Sequence, residues 1–118
     1  MRVLEETMLA ALRAGLEDQR RDLRREIEEY GADPESDDVT FEADAGFSDR
    51  SHSTEERSRT IAVVRALRSN LHDVERALAK MDAGTYGTCE RCGRPIGRER
   101  LEAIPWALLC IDCKKLAG

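Results

Sequence analysis

The sequence is poor in aromatic residues and has no long apolar run. Only 4% of its 118 residues are Phe, Trp or Tyr, whereas 36% are charged. So few large apolar side chains cannot fill a thick globular core, and they favour long helices that bury a single apolar stripe. No stretch approaches the ~18 apolar residues of a membrane-spanning helix, and the N-terminus has no apolar signal segment. We therefore expect a mainly α protein that works in the reducing cytoplasm and does not enter a membrane.

A positive charge excess is also missing. The chain has 24 acidic residues against 19 lysines and arginines, which gives a net charge of −5. Because binding to the DNA backbone depends on a basic surface, direct DNA binding is not expected. An acidic protein is better suited to a basic patch or channel on another protein. The sequence has no recognisable nucleophile–base pair, phosphate-binding loop or open metal site, so we do not expect an enzyme.

Two stretches have the apolar periodicity of long helices. The first is predicted over residues 3–30 and ends at Gly31 and Pro34. The second begins near Ser53 with a capping box, Ser53-Thr54-Glu55-Glu56, and runs to about Asp82. The apolar positions of the first are Leu9, Leu12, Leu16, Leu23, Ile27 and Tyr30; those of the second, spaced alternately by three and four, are Val64, Leu67, Leu71, Val74, Leu78 and Met81. The arginines of the second helix are expected on its solvated face: Arg57, Arg59, Arg65, Arg68 and Arg76.

Two helices of similar length joined by one loop can bury their stripes against each other. The sequence therefore predicts an antiparallel two-helix coiled-coil hairpin over residues 1–82, with arms roughly 40 Å long, in a monomeric protein. The alternative is a dimeric coiled coil, in which each helix pairs with a second chain. The connecting segment, residues 31–52, would form the tip. From Gly31 to Asp49 it holds seven acidic residues and no basic one.

The four cysteines form two close pairs near the C-terminus. Cys89 and Cys92, and then Cys110 and Cys113, each have the C-x2-C spacing, with seventeen residues between the pairs. Each pair aims two sulfurs at one point, and four thiolates complete the tetrahedral site of a structural zinc ion. We expect one such zinc in a C-terminal zinc-knuckle domain over residues 83–118. Disulfides, a thioredoxin-like redox pair and an iron–sulfur cluster are the alternatives.

Several residues around the cysteines carry a family resemblance. They are Tyr86-Gly87, Cys89-Glu90, Cys92-Gly93, Ile96, Arg100-Leu101-Glu102-Ala103, Pro105 and Leu109-Cys110-Ile111-Asp112-Cys113-Lys114. With the preceding hairpin, they make the chain resemble the DksA/TraR zinc-finger family. These bacterial transcription regulators act on RNA polymerase without binding DNA, and their coiled coil enters the secondary channel, through which nucleotides reach the active site. The resemblance implies the same partner and function here.

The resemblance also points to residues at the tip. Acidic tip residues of the family approach the catalytic region of the polymerase, within the motif D-x-x-D-x-A. Asp49-Arg50-Ser51 matches the second half of this motif with Ser51 in place of alanine, whereas its first aspartate position falls on Gly46, with Asp44 nearby. The expected polymerase-contacting residues are therefore Asp44, Asp49, Arg50 and Ser51. The alternative function is a zinc-knuckle adaptor for protein interactions, or a dimerising coiled-coil protein.

Overall fold

The computed structural model describes residues 5–35 and 54–117 of the chain. Within these ranges the backbone forms no strand and four helices: α1 (Glu6–Glu29), α2 (Thr54–Ala83), α3 (Arg98–Ala103) and α4 (Ile111–Ala117). None of them has an apolar stretch long enough to cross a bilayer. The mainly α class predicted from the composition is confirmed.

Both long helices end at a glycine in the same way. Gly31 and Gly84 have φ angles of 82° and 78°. After α1, the Gly31 N–H donates to the Glu28 carbonyl (2.9 Å) and the Ala32 N–H donates to the Ile27 carbonyl (3.2 Å). The same two bonds, of 3.2 and 2.8 Å, form after α2 around Gly84. This is the Schellman motif, whose left-handed residue just past the helix is usually glycine because other residues are strained there.

The described residues divide into two compact units, and both long helices contribute to each. One unit takes the described residues of Met1–Gln19 and Asp73–Gly118, and the other takes those of Arg20–His72. The start of α1 therefore shares a unit with the end of α2, and the end of α1 shares a unit with the start of α2. This is the pairing of an antiparallel hairpin, so the predicted packing of the two long helices is confirmed.

In the unit from Arg20 to His72, most positions of the apolar stripes are buried as predicted, Leu67 is half-buried, and two other residues depart from the prediction. Leu23, Ile27, Val64 and Leu71 are each at most 6% exposed, and Ala32 after α1 joins them. Tyr30 is 37% exposed, because the backbone leaves the helical path at the turn before Gly31. The other departure is a charged residue, Arg68, which is buried beside the stripe.

Arg68 was expected on the solvated face of α2, and this prediction is wrong. The residue is only 9% exposed. It lies one turn after Val64 and one turn before Leu71, so its position borders the apolar stripe. A long arginine stem can cover apolar surface at such a position, which a reading of charge alone does not reveal.

In the other unit, the helical part has a similar apolar stripe. Leu16, Val74, Ala77 and Leu78 are buried, and Leu16, Val74 and Ala77 have no exposed surface. Ala77 falls outside the predicted pattern of three and four, and its small side chain lets neighbouring groups come close. Each fully buried Leu or Val contributes roughly 1.5–3 kcal/mol relative to an exposed position. Burial of this stripe is therefore the main term that holds the helices together.

The predicted tip lies largely outside the described residues. Asp44, Asp49, Arg50 and Ser51, the expected polymerase-contacting residues, all fall there, as does the predicted N-cap Ser53. Of the tip segment, residues 31–35 are described. There the Glu35 N–H donates to Asp33 Oδ1 (2.9 Å), and the Glu35 carboxylate pairs with Arg24 of α1. The division into a hairpin over 1–82 and a finger over 83–118 stays a prediction.

Candidate metal centre

The four cysteine sulfurs lie together in one cluster. The Sγ atoms of Cys89, Cys92, Cys110 and Cys113 are all within 4.8 Å of one another, and Cys92 Sγ lies 3.7 Å from Cys110 Sγ. A tetrahedral site with Zn–S bonds of about 2.3 Å has sulfurs about 3.8 Å apart, so the cluster fits a zinc ion. All four are free thiols, which removes the disulfide alternative. Four protein ligands leave no position for water, as in a structural site.

The first cysteine pair lies in a tight turn. An isolated antiparallel bridge joins Thr88 to Pro95, and the Cys89 N–H donates to the Arg94 carbonyl (2.8 Å). The Gly93 N–H closes the turn on the Cys89 carbonyl (3.0 Å), at a φ of 78°. A side chain at this φ would be strained, so glycine allows the backbone to reverse beside the sulfurs.

The second cysteine pair is set by a helix. Cys110 directly precedes α4, and its carbonyl accepts the first helical bond, from the Lys114 N–H (2.9 Å). Cys113 lies three residues further, on the first turn of α4. Residues three apart on a helix lie on one face, so the turn of α4 brings both sulfurs to the same side.

Side-chain and backbone hydrogen bonds fix the two cysteine pairs relative to each other. The Glu90 N–H donates to the Leu108 carbonyl (2.9 Å), which links the turn of the first pair to the segment before the second. Arg100 Nε donates to the Leu109 carbonyl (3.0 Å), next to the ligand Cys110. These bonds fix the backbone on both sides of the cluster without using the sulfurs.

A small apolar core supports the cluster. Its buried members are Cys89, Ile96, Leu101, Ala107 and Cys113, and partly buried Met8, Leu9, Leu12, Tyr86, Ile104, Leu109 and Cys110 pack against it. Gly87 packs on this core with a φ of 89°, a backbone conformation in which a residue with a side chain would be strained. The sequence assigned Leu9 and Leu12 only to the helical stripe. Their packing on the finger is a contact between distant parts of the chain, which periodicity cannot reveal.

The thiols have unequal proton affinities. Burial opposes ionisation of Cys89, but backbone N–H groups of Cys92, Cys110 and Arg91 outweigh it and lower the pKa of Cys89 to about 5. Burial and hydrogen bonds to the other thiols raise the pKa of Cys113 to about 12. Thiols this close do not all ionise by themselves, whereas a divalent cation among them stabilises four thiolates. The donor set therefore matches the chemistry of bound zinc.

Two cations of α2 lie next to the first cysteine pair. Arg76 Nε donates to Glu90 Oε2 (2.7 Å), and Lys80 Nζ donates to the Thr88 carbonyl. Burial lowers the pKa of Lys80, while the charges of Glu90 and Cys89 act in the opposite direction. Arg76 was predicted to lie on the solvated face of α2, and neither contact was predicted. The one available signal was an i,i+4 pair of cations near the end of α2, ahead of an acidic residue beside the first cysteine.

Comparison with known families and relatives matches both the finger and the helices. A family model for the prokaryotic dksA/traR C4-type zinc finger matches residues 84–116. The RNA polymerase-binding transcription factor DksA of Escherichia coli K12 is 36% identical over 114 residues, which is 97% of this chain and 74% of that protein. The factor of the same name from Haemophilus influenzae is 43% identical over 70 residues, covering 59% of this chain and 48% of that protein.

Solved structures show the same fold. The transcription factor DksA2 from Pseudomonas aeruginosa superposes with a TM-score of 0.69 and 26% identity, over 96% of this chain and 84% of that one. The DnaK suppressor protein from Agrobacterium tumefaciens gives a TM-score of 0.61 and 26% identity, over 92% of each chain. The similarity therefore extends well beyond the cysteine motif.

Proposed function

The chain belongs to the DksA family of zinc-finger proteins, and from this premise we propose that it is a non-enzymatic transcription regulator that binds RNA polymerase. It acts through the secondary channel of the polymerase, into which the segment between α1 and α2 reaches. It does not recognise DNA sequence. Zinc has a structural role: it holds the finger together and takes no part in transcription chemistry.

The observation that carries this proposal is the extent of the similarity to E. coli DksA. A match confined to residues 84–116 would support zinc binding alone, because small zinc knuckles occur in proteins of many functions. The match covers 114 residues at 36% identity, so it includes both long helices and the segment that joins them. Because the matched relatives are named as RNA polymerase-binding transcription factors, similarity of the helical part supports a shared partner.

The charge of the connecting segment supports the proposed route. Between Gly31 and Asp49 it carries seven acidic residues and no basic one. A concentrated negative charge is attracted to a basic channel and excluded from DNA. Carboxylates that reach the catalytic region would perturb the charged groups around its magnesium ion. Asp49 is the residue of this segment that we expect to act most directly, with Asp44, Arg50 and Ser51 as its neighbours in the contact.

The test is transcription in vitro with purified polymerase, combined with a binding measurement on core enzyme. We expect the wild-type protein to bind the polymerase and to change transcription from sensitive promoters. Asp49→Ala should remove most of the effect on transcription and lower affinity for the polymerase by less than about tenfold, since a single ion pair at a solvated interface contributes at most about 1 kcal/mol. Glu17→Ala, at an exposed position of α1, is the matched control and should behave as wild type.

Two results would contradict the proposal. One is failure of the zinc-loaded wild-type protein to bind core polymerase. The other is nanomolar binding to promoter DNA in a gel-shift assay at physiological salt without polymerase, since an acidic protein without a basic footprint should not do this.

A further inference from the structure

The contacts between α2 and the first cysteine pair have no role in the function proposed above. We propose that Lys80 and Arg76 are positioning residues for the metal: together they form a cationic clamp that fixes Thr88–Glu90 and strengthens zinc binding. The zinc ion would be held by the four cysteines, and the clamp would act on it through the backbone and the charge around Cys89. This inference concerns zinc alone and does not depend on polymerase binding.

The clamp contacts the residues on both sides of one zinc ligand, Cys89. Arg76 and Lys80 are four residues apart on α2, so they lie on one face of that helix. Lys80 donates to the carbonyl of Thr88, and Arg76 donates to the carboxylate of Glu90 (2.7 Å). Cys89, between these two anchors, is 2% exposed. Because Arg76 and Lys80 are both on a regular helix, they restrict the position of Cys89 more than the short turn could by itself.

The clamp also matches the charge of a loaded site. Four thiolates around one divalent zinc ion leave two excess negative charges. Lys80 and Arg76 bring two positive charges to the same place, of which Glu90 offsets one. Lys80 is half-buried, and its Nζ donates to the Thr88 carbonyl directly before the ligand Cys89. Opposite charges interact more strongly at a partly buried position, because water screens them less.

The two members should differ in strength. Lys80 is the less exposed residue, and it holds the carbonyl directly before the ligand. The side chain of Arg76 is 52% exposed, so water competes with its bond to Glu90. We therefore expect Lys80 to contribute most of the effect and Arg76 a smaller part.

The experiment is a measurement of zinc affinity and zinc dissociation rate on the full chain, by competition with a chromophoric chelator. Residues that hold metal ligands in place typically change affinity by about 10- to 100-fold when replaced. Lys80→Met, which keeps the length and removes the charge, should lower affinity within that range and speed dissociation. Lys80→Arg, which keeps the positive charge, should keep most of the wild-type zinc affinity. Arg76→Gln should lower zinc affinity by only a few fold. Arg65→Gln, at an exposed position elsewhere on α2, is the matched control and should match wild type.

Cobalt substitution separates positioning from general loss of structure. The loaded Lys80→Met variant should keep the tetrahedral four-thiolate absorption of the wild type and the same helical circular dichroism, while releasing metal faster. If that variant lacks wild-type helicity in excess zinc, the Arg76→Gln variant decides in its place. Zinc affinity and dissociation equal to wild type in a folded Lys80→Met or Arg76→Gln variant overturn the clamp. That result would not contradict the proposed binding to polymerase, so the two proposals can fail separately.

Discussion

The helical unit from Arg20 to His72 and the cysteine finger are stabilised by different means. In the helical unit, side chains such as Leu23, Ile27 and Val64 are removed from water along two regular stripes. In the finger, the buried core is small and includes two of the four metal ligands, Cys89 and Cys113. The first region gains its stability from apolar burial. The second depends on an ion and on hydrogen bonds from side chains elsewhere in the sequence.

Removal of the metal should affect the two regions very differently. Structural zinc supplies an apparent binding free energy of about 10–16 kcal/mol in small fingers, far more than the apolar core here can replace. We expect Cys113→Ser, or chelation of the wild type, to unfold the finger and to leave most of the signal of α1 and α2. Trp106, the one tryptophan of the chain, lies in the finger and reports its unfolding by fluorescence, while circular dichroism reports the helices.

Equal loss of both signals would contradict this expectation, since it would mean that the helices also depend on zinc. A limited loss of helicity is expected in any case. Met8, Leu9 and Leu12 at the start of α1 pack on the finger core and would lose that contact.

The converse change weakens the helices without touching the metal. Ile27 has no exposed surface, and replacing it with alanine should lower the free energy of unfolding by about 2–5 kcal/mol. Zinc affinity should stay at the wild-type value, because Ile27 belongs to the unit without cysteines. Chemical denaturation and chelator competition measure the two quantities. Val63→Ala, at a position 40% exposed, is the control and should change stability by less than about 0.5 kcal/mol.

Zinc binding to the finger should release protons from some of the cysteines but not from all four. With a pKa of about 5, Cys89 is already ionised at pH 7 and has no proton to release. With a pKa of about 12, Cys113 must release one. Zinc affinity should therefore rise with pH through the neutral range, by up to about tenfold per unit for each proton released. Calorimetry in buffers of different ionisation enthalpy should count fewer than four protons at pH 7, and a count of four would contradict the assigned state of Cys89.

The smallest effect is expected from an ion pair between the two long helices. Arg13 Nη2 lies 3.0 Å from Asp82 Oδ1, with the side chains 38% and 72% exposed. Exposed pairs of this kind contribute about 0–1 kcal/mol, because water solvates both partners well. Arg13→Ala should lower the free energy of unfolding by no more than that and leave zinc affinity unchanged. A loss of several kcal/mol would mean that charge, and not apolar burial, holds the helices together.

Local signals in the sequence predicted the helices well. The capping box at Ser53, the apolar spacing and Gly84 placed α2 within one residue of its observed bounds, Thr54–Ala83, because a helix depends on neighbours three and four residues away. Tyr30 and Arg68 were assigned wrongly for the same reason. Tyr30 lies at the predicted helix end, where the apolar period no longer fixes which way a side chain faces, and Arg68 borders the stripe, where its apolar stem and not its charge decides burial.

The cysteine cluster was also predictable, since each pair has the fixed spacing of a metal-binding turn. Its surroundings were not. Lys80 and Arg76 contact residues 8 and 14 positions away, and Leu9 packs on a core formed some 80 residues later. Contacts across such separations depend on how the chain folds back, which no local pattern records. The groups that we propose to tune zinc binding could therefore be found only in the structure.

Photo-crosslinking can show whether the segment between α1 and α2 enters the secondary channel of the polymerase. A photoreactive residue in place of Asp44 should be used in the zinc-loaded chain bound to core polymerase, with the same residue at exposed Lys115 for comparison. The account predicts that position 44 crosslinks to polymerase segments lining the secondary channel near the active site, and that position 115 does not. Crosslinks from position 44 to the outer surface of the polymerase or to promoter DNA would contradict it.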